Sequence, residues 1–280
     1  MQRLPSLPSY PPGRRCPGKD SVAKLRTRGA LVVFFAACFA QAKTGTRPLF
    51  EPTDLELEDP GWLGFDFQTG TIRGRDPWRV VVSDFEFNAG VLPNLELDID
   101  ASYALEGSNR SPFSQPHAVT DALWTSVKWG VKDWHEDTLG RSWALGMQAG
   151  PKLPIARGSR GVGIEGLVLL GLLAHKTHFV LNAGFLNDPR SSASGSRPFG
   201  LECGLDIRAP FDQADTVAFI GELAGVHFFS SDPHQLSTTA GLSYSPYKYL
   251  DLSIVGLAGW LNGSDRYGLL LGVTPKFQWF

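Results

Sequence analysis

No run of 18 apolar residues occurs anywhere in this 280-residue chain, which excludes a helical membrane span. Cysteine is scarce. Of Cys16, Cys38 and Cys203, only the last lies beyond residue 42, so a chain that sheds residues 1–42 has no intramolecular disulfide. Excess positive charge is missing as well. The formal net charge is −2, and removing the seven Lys/Arg and one Asp of residues 1–42 leaves 19 basic and 27 acidic residues, a net of −8, which argues against nucleic acid as a partner. Glycine-rich pieces such as GSRGVG lack the Lys-Ser/Thr of a phosphate loop. No cofactor is indicated, and His175 and His178, which flank a short turn, read as solvated turn residues rather than metal ligands.

What is abundant is long, clean alternation. Between Arg79 and Leu105, Leu95, Leu97, Ile99, Ala101, Tyr103 and Leu105 alternate with Glu96, Asp98, Asp100 and Ser102, so an extended strand there has one apolar and one acidic face. Phe85, Phe87 and Ala89 alternate in the same way with Asp84, Glu86 and Asn88, and a Pro-Asn turn joins the two halves into a hairpin. Soluble all-β cores alternate too, but over strands shorter than about 10 residues. Strands of about 10 residues are what crossing an apolar layer requires, and a closed barrel leaves no backbone group unpaired there.

The chain divides into three parts. Residues 1–42 read as a secretory signal peptide with a disordered or over-long start: Lys24, Arg26 and Arg28 precede GALVVFFAACFA, and Ala40-Gln41-Ala42 sets cleavage after Ala42. A start at Val22 gives that signal an ordinary length; a lipoprotein anchored through Cys38 is a minor alternative. Residues 43–61 form an acidic periplasmic leader whose role the sequence leaves unread. Residues 62–280 then predict a closed antiparallel transmembrane β-barrel of about 12 strands, with short periplasmic turns and longer outer loops. The strands are expected near 62–70, 79–90, 94–105, 122–134, 142–151, 162–174, 177–187, 199–209, 216–227, 236–244, 249–260 and 267–279. Between them EGSNRSPFSQPHAVTD, PIARGSRG, NDPRSSASGSR and FFSSDPHQ alternate with the short VLPN, HK and SPYK; only DWHEDTLGR breaks the parity. The tryptophans lie within or next to the expected strands, several near strand ends where an aromatic girdle belongs, with Trp124 on the polar phase. The terminal Phe280 resembles the signal read by the barrel-assembly machinery of Gram-negative outer membranes, although the apolar phase through Phe277 and Trp279 misses it by one residue.

VSDFEFNAGVLPNLELDIDASY, TDALWTSVKWGVKD, WALGMQAGPKLPIARG and THFVLNAGFLND, in this order, resemble the outer-membrane barrels of the MetA-pathway of phenol degradation family. The resemblance rests on Asn94–Leu97, Asp121–Lys128 and Gly150–Pro154. It implies a transporter or porin associated with aromatic compounds, and supplies no catalytic residues.

Strand phase names the expected pore-lining residues: Asp66, Asp84, Glu86, Glu96, Asp98 and Asp100 on one wall, and Lys128, Lys132 and Lys152 on the other. Opposed walls of this kind orient a polar or anionic solute; the same charges pairing across neighbouring strands would fill a narrow barrel instead. Glu165, Glu202, Asp206 and Glu222 also point inward, with Arg208 close to Asp206. The expected function is a Gram-negative outer-membrane channel for passive uptake of small solutes, with outer-membrane lipid and the assembly machinery as its other partners; the resemblance implies aromatic or other organic acids as the cargo. Two further readings stand beside it: a closed structural or binding barrel whose outer loops engage a partner, and a lipid-modifying enzyme. For the enzyme, His227 with Ser230 and Ser231 lacks an acid of proper phase, and the chain is read as no enzyme.

Overall fold

Alternation on this scale folds into antiparallel strands whose two faces differ in polarity. The computed structural model describes residues 57–74, 78–107, 117–120, 122–136, 141–155, 159–190, 197–230 and 232–279. It contains β1 (Trp62–Arg73), β2 (Trp78–Leu92), β3 (Leu95–Glu106), β4 (His117–Thr120), β5 (Leu123–Glu136), β6 (Arg141–Leu153) and β7 (Gly163–Ala174). These are followed by β8 (Thr177–Asn187), β9 (Phe199–Pro210), β10 (Val217–Phe228), β11 (Gln235–Tyr247), β12 (Leu250–Gly259) and β13 (Tyr267–Gln278). The proposed signal peptide, most of the leader and Phe280 lie outside the described residues.

Each strand pairs antiparallel with its neighbours, and β1 pairs with β13 over ten positions, which closes the sheet. The four-residue β4 is the one strand the pattern does not announce. It pairs with β3 at Tyr103–Glu106, while β5 pairs with the same edge at Leu95–Asp100, so the two share one place in a 12-strand wall. Closure leaves no long strand with a bare edge among the described residues.

Polarity runs opposite to that of a soluble barrel. Along β13, Leu269, Leu271, Val273 and Phe277 are 41–52% exposed, while the alternate Leu270, Thr274 and Lys276 are at most 7% exposed. Strand β7 repeats the pattern with Ile164, Val168 and Leu170 outside and Glu165, Leu167 and Leu169 inside. Spans of 10–15 residues suffice to carry that apolar band across a bilayer. Trp78 packs edge-on against Tyr267 at the long-loop end, and Trp134 pairs with Trp143 across β5 and β6 at the short-turn end, so each rim carries aromatics.

One bulge changes the expected inventory. Between Gly130 and Lys132 the β5–β6 register shifts by one residue, which places Lys132 opposite Leu145, and Leu145 sits opposite the lipid-facing Leu170. Lys132 therefore lies on the outer face, with its ammonium 5.1 Å from the Trp134 ring. The expected pore-lining role of Lys132 is corrected: an inserted residue inverts every later side chain of the strand.

Candidate functional site: the barrel interior and its short-turn mouth

Inward residues that stand abreast on neighbouring strands build the interior. Asp66, Glu86 and Asp100 form one row across β1, β2 and β3. Asp66 is buried and accepts a hydrogen bond from Asn88 Nδ2 at 3.1 Å. One step towards the short turns, Asp98 accepts from Gln148 Nε2 at 3.0 Å and from the Ser126 hydroxyl at 3.4 Å. Glu96 faces Lys128 at 3.8 Å, and both side chains are fully enclosed. On the next wall Lys152 reaches Glu165 at 2.6 Å and Asp188 at 2.8 Å. Asp84 occupies its place in β2 opposite Gln68 and Ser102, but its side chain is outside the described part. Of the expected basic wall, Lys128 pairs with an acid of the expected acidic wall, whereas Lys152 pairs with Glu165 and Asp188 instead. Arg208 turns to Asp215 at 2.8 Å, and Asp206 accepts from Asn182 Nδ2 at 3.0 Å.

Between the charges lie two apolar ledges, packed rather than open, with no side chain of either cluster more than 9% exposed. Ile220, Gly241, Val255, Leu270 and Gly70 stand abreast across β10, β11, β12, β13 and β1, with Ile72 packed against them. Gly241 is required, because a Cβ there would sit 2.6 Å from Val255 Cγ2 and 2.0 Å from the Ile254 carbonyl oxygen. The second ledge is Trp124, Leu167 and Leu169 on β5 and β7. In the closed order of the wall the two ledges stand on opposite sides, with charged strips between them.

The short-turn mouth holds the end of the acidic leader. Gly61, at a φ of 86°, turns the chain from the mouth into β1, and its N–H donates to the Gly90 carbonyl at 2.9 Å. Glu58, 6% exposed, donates its backbone N–H to Glu96 and places its carboxylate 3.8 Å from the Lys276 ammonium, which also faces Asp251 at 3.4 Å. Three inward glycines make room. A Cβ at Gly90 would fall 2.2 Å from the Asp59 carbonyl oxygen, one at Gly64 would fall 3.0 Å from Glu58 Oε1, and one at Gly130 would fall 3.1 Å from Leu57 Cδ1. Burial raises the carboxyl pKa of Asp59, and the positive charge of Lys276 opposes that rise. Trp62, on the inward phase, stacks on Tyr249 at 5.7 Å beside this segment. Lys276 is the residue the sequence reading passed over. Leu271, Val273 and Phe277 all point outward, so the period of two already set it inside.

Of the rim candidates for catalysis, Ser231 lies outside the described residues. His227 stacks on His234 at 4.2 Å, and the Ser230 hydroxyl donates to Asp232 at 2.6 Å. At the opposite rim His135 Nδ1 meets Ser142 Oγ at 2.9 Å and His135 Nε2 meets Asp133 at 3.4 Å. The His135 and Asp133 side chains are 65% and 76% exposed, so water is not excluded from that trio.

No family model matches the chain, and no curated protein matches it. Solved structures do. An outer membrane channel from Pseudomonas putida F1 superposes with a TM-score of 0.56 at 11% identity, over 81% of this chain and 99% of the other. The chain has the fold of an outer-membrane β-barrel. The translocator domain of the autotransporter NalP from Neisseria meningitidis gives 0.41 at 11% identity, over 90% of this chain and 95% of the other. The CymD monoaromatic hydrocarbon channel gives 0.37 at 10% identity, over 79% and 89%. The MetA-pathway of phenol degradation family stays a resemblance of sequence.

Proposed function

We propose that this barrel is an outer-membrane channel for passive uptake of small amphiphilic solutes, with aromatic or other organic acids as the preferred class. The observation that carries the reading is the interior, where two facing apolar ledges alternate with charged strips. These ledges are packed, so a solute ring would have to part them and a carboxylate the paired charges, and both kinds of lining side chain would then select what passes. Residues 1–42 would export the chain, with cleavage after Ala42, and the short turns would face the periplasm. The assembly machinery and outer-membrane lipid would then be its partners in biogenesis.

A second reading, a closed barrel whose outer loops bind a partner, is favoured by the enclosure of Lys128 and Glu96 and by the leader in the mouth. Planar-bilayer recording of the refolded mature protein decides between them. Stepwise openings that benzoate blocks or shifts are expected from the channel. Silence from a barrel that is folded by heat-modifiable migration would move the assignment to the closed barrel.

A further inference from the structure

The contacts of the leader end have the form of a bound ligand. Glu58 brings a carboxylate to Lys276 in a site enclosed by the wall, and Glu96, itself paired with Lys128, holds the same residue by its backbone N–H. The floor under it consists of Gly64 and Gly90, and Gly130 receives Leu57, so the wall is shaped to admit a segment of chain. Two wall lysines thus stand within one network at the mouth, each beside a wall carboxylate, and Glu58 adds a further carboxylate to Lys276. A solute carboxylate arriving at the mouth needs the position that Glu58 holds. The two compete, because they offer the same group to the same ammonium.

We infer that Lys276, with the Glu96–Lys128 pair beside it, forms a carboxylate-binding site at the short-turn mouth, and that Glu58 occupies it as a tethered competitor which a carboxylate solute displaces. This rests on the channel reading and adds to it where the solute is recognised and what keeps the mouth shut without it. Being covalently attached, the leader acts at high effective concentration, so the solute is expected to compete at millimolar rather than micromolar levels. Displacement exchanges one carboxylate for another and leaves the charge at Lys276 balanced, which avoids exposing an unpaired buried ammonium. Leu57, withdrawn from Gly130, leaves the mouth together with Glu58.

The test separates this site from conduction. In a Cys203→Ser background, Leu57→Cys reports the position of the leader through its rate of maleimide labelling in the folded, full mature barrel. Labelling is expected to be slow, to accelerate several-fold in millimolar benzoate, and to ignore benzyl alcohol, which has the ring without the charge. Adding Gly90→Val, which drives a side chain into the Asp59 and Glu58 carbonyls, is expected to give fast labelling with or without benzoate. Glu58→Gln, which keeps the fold and the size, is expected to lower the benzoate concentration needed. Labelling indifferent to benzoate while Gly90→Val speeds it would overturn the competitor site and leave a plain plug. Equal acceleration by benzyl alcohol would overturn the carboxylate specificity. A benzoate response in labelling with silent bilayers would uphold the site and sink the channel.

Discussion

Replacing Lys128 by Met removes one charge from a pair that no solvent reaches and leaves the buried Glu96 without its Lys128 contact. Breaking a buried pair in this way costs about 3–5 kcal/mol, because the survivor keeps its desolvation while losing one of its charged contacts. At about 1.4 kcal/mol per factor of ten, that lowers the folding equilibrium by roughly two to three and a half powers of ten. The same pair bathed in water would contribute about 0–1 kcal/mol. The measurement therefore asks whether the lower lumen is packed or wet. The assay is reversible urea unfolding of the barrel in lipid vesicles, followed by tryptophan fluorescence and by heat-modifiable migration. Lys128→Met alone is expected to lose about 3–5 kcal/mol. With Glu96→Gln added, which still accepts the Glu58 N–H, most of the loss is expected to return, since a neutral isosteric pair is often tolerated. A single-variant loss below about 1 kcal/mol would refute the packed lumen and place water around the pair. A double variant as unstable as the single one would show that shape, not charge, sets the cost.

Lys132→Ala removes an outward ammonium at the short-turn rim, where a charge facing lipid costs only about 0–1 kcal/mol; stability within that range and an unchanged benzoate response in bilayers are expected. If it alters ion selectivity, the register assigned to the bulge is wrong. The exposed Ser142, His135 and Asp133 contacts are expected to give no fluorophosphonate labelling of the purified barrel. Labelling that Ser142→Ala abolishes would establish a hydrolase after all.

A period of two is a local property, and it settles much of this protein before folding. Leu95 to Leu105 against Glu96 to Ser102 defines a strand with one face for lipid and one for the interior, and the spacing of such segments predicts about 12 wall strands. The same phase places Asp66, Glu86, Glu96, Asp98, Asp100, Lys128 and Lys152 inside, because adjacent side chains of an extended chain must point opposite ways. Three features depend on what the strand is next to. The bulge at Gly130 inverts Lys132, since an extra residue is defined only against the partner strand β6. β4 is four residues long and becomes a strand only because β3 offers it an open edge. The leader finds its place from glycines on three strands and a lysine on a fourth, and only closure of β1 onto β13 brings those strands around a common mouth. Phase determines which side of the wall a residue faces; the closed ring alone decides which residues meet across it.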